Sequence, residues 1–170
     1  MKKIIVTGGN GFIGSNLINF LISKKYFVIN IDKNKYSNGS YLLNNTKKKN
    51  YKFFKLDIKN KNILNILSKY KPNAIFNLAA ETHVDRSIEA PEDFINSNIL
   101  GTFNILEQIR NYKKKYNKNL RLIHISTDEV YGDLKKNERS DELSSYKPSS
   151  PYSASKASAD HLIKSYVRTY

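Results

Sequence analysis

The 170-residue chain has no cysteine and no tryptophan, one methionine and only four prolines. Without cysteine there can be no disulfide and no thiolate metal site, which fits a cytoplasmic protein. No metal ligand set stands out. No apolar run approaches the roughly 20 residues that a membrane span needs. The apolar stretch near the N-terminus stops after Ile4, Ile5 and Val6, and Gly8 and Gly9 follow almost at once, so no signal peptide is expected. Acidic residues are few: 15 Asp and Glu stand against 29 Lys and Arg, a formal charge of +14. The excess is mostly Lys, as at Lys113, Lys114, Lys115, Lys135 and Lys136, scattered among Asn and Tyr. That is a bias of the whole chain rather than a basic face, so no nucleic-acid partner is expected. Attraction of an anionic nucleotide is the benefit to expect from it.

What is present is alternation. Residues 3–6, 27–31, 51–56, 74–78 and 120–125 read as strands, and residues 12–23, 62–70, 91–110 and 151–170 as helices. The helix at 12–23 would turn Ile13, Leu17, Phe20 and Leu21 to one face; that at 62–70, Ile63, Ile66 and Leu67, with Lys71-Pro72 stopping it. The helix at 91–110 would carry Phe94, Ile95, Ile99, Phe103 and Leu106 inward. Residues 33–50 read as polar loop with one short helix, and 133–150 as polar loop. Pro151 suits a helix first turn. Strands alternating with helices argue a Rossmann-type α/β fold: one domain, a doubly wound parallel sheet between two helical layers, with fewer strands than such a sheet usually carries.

Gly8, Gly11 and Gly14 lie in a turn between the first strand and the first helix. Missing side chains there let backbone approach a pyrophosphate, and the helix N-terminus offers N–H groups. An ordinary tight turn would need the same glycines. Asp32, about 20 residues on at the end of the second strand, favours the first alternative, because a carboxylate there can accept from ribose hydroxyls and would repel a 2′-phosphate. NAD is therefore expected rather than NADP. Asp57-Ile58 follows the third strand, either near an adenine or as a helix cap. Tyr152 and Lys156 stand four apart on a predicted helix, so they share a face, and a nearby ammonium favours a phenolate that can act as a base. Asp128 and Glu129 are adjacent at the mouth of the fifth strand, after Thr127. Mutual repulsion raises one of two such pKa values, leaving one acid and one base.

Three runs together, Thr7-Gly8-Gly9-Asn10-Gly11-Phe12-Ile13-Gly14, Ser126-Thr127-Asp128-Glu129-Val130-Tyr131-Gly132 and Tyr152-x-x-x-Lys156, resemble the extended short-chain dehydrogenase/reductases. The run from Asn77 through Ala79, Ala80, Glu81, Thr82, His83, Asp85, Arg86 and Ser87 to Ile88 is narrower and resembles the dTDP-glucose 4,6-dehydratases. The resemblance spans the chain. It implies Tyr152 as the base at the glucose 4-hydroxyl, tuned by Lys156, with Glu129 taking the C5 proton and Asp128 protonating the departing C6 hydroxyl. Thr127 and His83 would touch the sugar. It also places Gly8, Gly11, Phe12, Ile13, Gly14, Asp32, Asp57, Ile58, Ala79, Ala80, Glu81, Ser97, Tyr152 and Lys156 around NAD. It implies the substrate dTDP-glucose, a role in deoxysugar supply for surface polysaccharide, a homodimer through the helices at 98–110 and 151–170, and a C-terminal nucleotide-sugar-binding region absent from these residues. Another NAD-dependent sugar-nucleotide dehydratase or epimerase, and a non-catalytic NAD-binding remnant, are the alternatives.

Overall fold

The computed structural model of the chain describes residues 1–35 and 49–170, and most of the loop and short helix expected over 33–50 lies outside the described residues. In chain order the elements are β1 (Lys3–Thr7), α1 (Phe12–Ser23), β2 (Phe27–Asp32), β3 (Tyr51–Lys55), α2 (Ile63–Tyr70), β4 (Ala74–Asn77), α3 (Val84–Glu89), α4 (Pro91–Phe94), a π-helical turn (Ile95–Leu100), α5 (Gly101–Tyr116), β5 (Arg121–His124), a 3-10 turn (Asp128–Tyr131) and α6 (Pro151–Thr169). They form two compact units, Met1–Ala79 with Asn104–Ile125, and Ala80–Phe103 with Ser126–Tyr170. No helix among the described residues is long and apolar enough to cross a membrane.

The first unit holds a five-stranded parallel sheet in the order β3-β2-β1-β4-β5. The strands β1, β2 and β4 are mostly apolar and buried, as strands covered on both faces are. Ile4, Val6, Val28 and Ala74 point one way, onto Ile18, Leu21 and Ile22 of α1. Ile5, Ile29, Ile31 and Ile75 point the other way, onto Ile63, Ile66 and Leu67 of α2 and onto Ile105 and Tyr112 of α5. The register sets Ile5 between Ile29 and Ile75, so a one-residue slip would exchange the two cores. α2 closes at Lys71, which takes a left-handed conformation at φ 49° ahead of Pro72. Among the described residues β5 pairs with β4 alone.

Two expected helix faces differ. In α1 the buried positions are Gly14, Ser15, Ile18, Leu21 and Ile22, whereas Ile13 and Phe20 are 62% and 57% exposed. Small residues supply the first turn of the buried face, and a search for large apolar side chains passes over them. The helix expected as unbroken over 91–110 carries the π-helical turn Ile95–Leu100. Its extra residue rotates the following face, so Ile95 and Phe103 are exposed while Ser97, Asn98 and Thr102 are buried. α3 was not expected at all.

In the second unit, α6 opens on a capping box. The Ser150 Oγ accepts from the Ser153 N–H at 3.1 Å and the Ser153 Oγ accepts from the Ser150 N–H at 3.0 Å, with Pro151 in the first turn. Ser153, Ser155, Lys156, Ala157 and Ala159 are buried along this helix.

Ile75 is fully buried at the centre of the sheet. Ile75→Ala is expected to cost about 2–5 kcal/mol, measured as a lower urea midpoint at unchanged slope.

Candidate active site

The first unit builds a cradle at the carboxyl ends of β1, β2 and β4. Gly8 turns the chain out of β1 at φ 68°, and a Cβ there would lie 2.7 Å from the Ala79 backbone nitrogen. A Cβ on Gly14 would run into the carbonyl oxygen of Gly8. Gly8 and Gly14 are therefore glycine by steric necessity. The Gly11 N–H donates to the Gly8 carbonyl at 3.1 Å, and Gly11 caps α1 with no side-chain cap and no acid in the first turn. The positive end of the helix is thus left to a ligand anion. Phe12, at 74% exposure, and Ile13 flank it.

Asp32 is locked to this turn. Its Oδ2 accepts from the Asn10 N–H at 3.0 Å and its Oδ1 from the Asn34 N–H at 2.6 Å. Beneath it, Asn10 Nδ2 donates to Asn34 Oδ1 at 2.8 Å, and Asn30 Nδ2 donates to Asn10 Oδ1 at 2.9 Å and to the Tyr51 hydroxyl at 3.0 Å. Burial pushes the Tyr51 phenol above its ordinary value, with Asp32 adding to the rise and the Asn30 bond opposing it. Across the strand ends, Thr7 Oγ1 donates to Asn77 Oδ1 at 2.6 Å and accepts from the Ala79 N–H at 3.2 Å. Asn77 Nδ2 then reaches His124 Nδ1 at 3.0 Å.

Asp57 turns out not to cap a helix: its Oδ1 accepts from the Lys59 N–H at 2.8 Å in a local turn, and Asn62 holds the cap position of α2. The Ile58 side chain is buried in the core, and its carbonyl accepts from Asn104 Nδ2 at 2.6 Å.

The second unit carries the reactive groups. Thr127 caps the 3-10 turn, its Oγ1 accepting from the Glu129 N–H at 3.3 Å. Buried Val130 anchors that turn while Asp128 and Glu129 stay exposed. Tyr152, in the first turn of α6, is buried with its ring edge-on to Phe94 at 6.2 Å, and its hydroxyl bonds the Thr127 side chain. Burial raises the phenol above its ordinary value; the Thr127 bond lowers it, and the Glu129 and Asp128 charges raise it again. This corrects the expected direction. Lys156 is itself buried, which lowers its ammonium, while Asp160 raises it.

Elsewhere in this unit, Ala80 is half-buried, Glu81 is buried, His83 is exposed at the start of α3, and Ser97 is buried in the π-helical turn. Buried Asn98 organises them. Its Oδ1 accepts from the Glu81 N–H at 2.9 Å, and its Nδ2 donates to the Glu81 carbonyl at 3.0 Å and to Ser155 Oγ at 2.9 Å. Ser155 Oγ in turn donates to the Tyr152 carbonyl at 2.7 Å. Asn98, and the set Asn10, Asn30, Asn34 and Tyr51, were missed from the sequence. A lone Asn30 in the apolar strand β2 is the only signal that could have pointed to the second group.

The chain was compared with known proteins. The family model described as GDP-mannose 4,6 dehydratase matches residues 5–170. The chain is 49% identical over 178 residues to dTDP-glucose 4,6-dehydratase of Haemophilus influenzae, covering 100% of this chain and 53% of that protein. The crystal structure of dTDP-glucose 4,6-dehydratase from Bacillus anthracis in complex with NAD aligns with a TM-score of 0.86 and 37% identity over 100% of this chain and 52% of that one. The UDP-glucose 4-epimerase of Thermus thermophilus in complex with NAD aligns with a TM-score of 0.85 and 30% identity, over 99% and 51%. The chain spans about half the length of the curated relatives it matches.

Two outcomes follow from the geometry. Asn98→Ala strands the Glu81 N–H and carbonyl and is expected to cost about 2–4 kcal/mol, read by thermal or urea unfolding. The Tyr152 phenol, followed by 13C NMR of its Cζ and assigned with Tyr152→Phe, is expected to hold its proton above the ordinary tyrosine value of about 10, and Glu129→Gln should bring its titration down.

Proposed function

The chain belongs to the family described as GDP-mannose 4,6 dehydratase, and we propose that it is the NAD-binding and catalytic part of an enzyme that dehydrates dTDP-glucose to dTDP-4-dehydro-6-deoxyglucose. Within the family the Thr127-Asp128-Glu129 run favours this substrate, because GDP-mannose dehydratases carry Ser where Asp128 stands. The observation that carries the reading is the Tyr152 phenol bonded to Thr127 and sitting in the field of Glu129 and Asp128. The similar H. influenzae and B. anthracis proteins, both named as dTDP-glucose 4,6-dehydratases, support it.

The residues of the first unit fit NAD. The glycine turn admits a pyrophosphate, and Asp32, its two oxygens already fixed by backbone N–H groups, presents a carboxylate that accepts from a ribose diol and repels a 2′-phosphate. Bound NAD would supply a hydride acceptor for sugar C4 and return the same hydride to C6. Tyr152 takes the proton of the sugar 4-hydroxyl, and Thr127 holds the oxygen near C4. Lys156 grips the nicotinamide ribose. Once C4 is a ketone the C5 proton is acidic, and Glu129 removes it. Asp128 gives a proton to the departing C6 hydroxyl. One water leaves and, as the hydride would reach C6, Glu129 returns its proton to C5, so the net change is loss of one water, the activity of a hydro-lyase. His83 would touch the sugar.

The reading extends to a soluble, cytoplasmic homodimer in deoxysugar supply. An open apolar groove in the second unit, lined by Ile99, Ser158, His161, Leu162 and Ser165, together with exposed Leu100, Phe103 and Val167, supports the helices at 98–110 and 151–170 as its interface.

The test is mass spectrometry of dTDP-glucose incubated with the protein and NAD. Loss of one water from the sugar is expected. A sugar of unchanged mass with inverted C4 would replace dehydration by epimerisation, and NAD binding without conversion would favour a binding remnant. Tyr152→Phe, Asp128→Asn and Glu129→Gln are each expected to lower kcat by about 100- to 10,000-fold while NAD still binds by calorimetry.

A further inference from the structure

Asp160 is used by no step above, and it occupies a junction in the second unit. It lies one helical turn past Lys156 on the same face of α6. Its Oδ2 accepts from Ser126 Oγ at 2.5 Å and from the Tyr146 hydroxyl at 3.0 Å. Ser126 immediately precedes Thr127, at the entrance to the turn that carries Asp128 and Glu129. Tyr146 reaches the exit of that turn, its ring edge-on to Tyr131 at 5.4 Å and 83°. The same ring lies 5.3 Å from His161 and receives the Lys164 ammonium 4.7 Å from its centroid. One carboxylate oxygen thus ties both ends of the Asp128–Tyr131 turn to the helix that bears Tyr152 and Lys156.

An amide could accept the same two hydrogen bonds, so anchoring alone does not call for an acid. The charge has a second use. Lys156 is buried, burial lowers its ammonium, and Asp160 is the group that opposes this. The Tyr146 hydroxyl is pushed up to about 12, first by burial and then by Asp160, so it remains a donor across the physiological range. The titratable groups around the cluster are Lys156, His161 and Lys164 on α6, Tyr146 in the loop and Tyr131 in the 3-10 turn.

We propose that Asp160 is a positioning residue for the acid–base set: it pins the Asp128–Tyr131 turn to α6 and supplies the counter-charge of buried Lys156. The proposal rests on the roles given to Lys156 and Tyr152 above, and its primary test needs no turnover. The Lys156 Cε resonance, assigned with Lys156→Arg, is titrated by NMR in the full chain and its variants. Asp160→Asn keeps the shape and both acceptor bonds and is expected to shift the Lys156 midpoint downward. Asp160→Glu is expected to restore it, and Tyr146→Phe and Ser126→Ala, which keep the charge, to leave it in place. Where dehydration is measured, Ser126→Ala and Tyr146→Phe are expected to lower kcat by up to about 100-fold with KM little changed, as for a misplaced group. An unmoved Lys156 midpoint in a folded Asp160→Asn chain overturns the proposal, whatever the activity. Should Asp160→Asn fail to fold, Asp160→Glu decides the matter: a Lys156 midpoint at the wild-type position is expected, and one moved downward in the folded Asp160→Glu chain overturns the proposal.

Discussion

The exit of β1 passes so close to the exit of β4 that no side chain fits between them. Gly8 sits at φ 68° with its missing Cβ 2.7 Å from Ala79, and the arrangement of the first unit follows from that approach. The order β3-β2-β1-β4-β5 reverses its direction of growth between β1 and β4, which is where a doubly wound sheet leaves a crevice for ligands. At this edge the Thr7 hydroxyl accepts from the Ala79 N–H, and side-chain bonds from Thr7 to Asn77 and from Asn77 to His124 link the strand ends laterally. A branched residue at Gly8 would force those strand ends apart, and the polar stitch and the turn over α1 would go with it.

Below the edge the sheet is apolar on both faces, so the positions that can carry polar function are confined to strand ends and the loops beyond. Asp32 stands at such a strand end, and its two backbone bonds to Asn10 and Asn34 orient the carboxylate. Beneath it the buried Asn30 amide donates to Asn10, and Asn10 donates to exposed Asn34.

The second unit solves a different problem, that of holding a phenol, an ammonium and two carboxylates in one place. The capping box at Ser150 fixes where α6 begins and so where Tyr152 points. Asn98 secures the carbonyl side of that first turn through Ser155. The carboxylates sit on a short 3-10 turn rather than a long helix, which leaves Asp128 and Glu129 in solvent while Val130 provides the anchor. Burial of the phenol and the lysine raises one pKa and lowers the other.

Local patterns were enough to place the five strands, the glycine turn and the Tyr152–Lys156 pair, because strand burial, steric exclusion at Gly8 and helical spacing act over a few neighbouring residues. The adjacency of Asp128 and Glu129 was legible for the same reason. The faces of α1 and of the helix after Pro91 were not, since Gly14 and Ser15 bury without being apolar and a π-helical turn rotates a face with no mark in the hydrophobic period. Nor could the sequence show that Asp57 closes a local turn, that Ile58 belongs to the core, or that Asn98, Asn30 and Asp160 are hubs. Their partners lie 17 to 57 residues away for Asn98 and 34 for the Ser126–Asp160 bond. The amino-acid sequence alone therefore determined which chemical groups the protein owns and the fold that displays them. The tertiary structure decided which of them meet and which way their pKa values move, because contact and burial depend on residues that are neighbours only after folding.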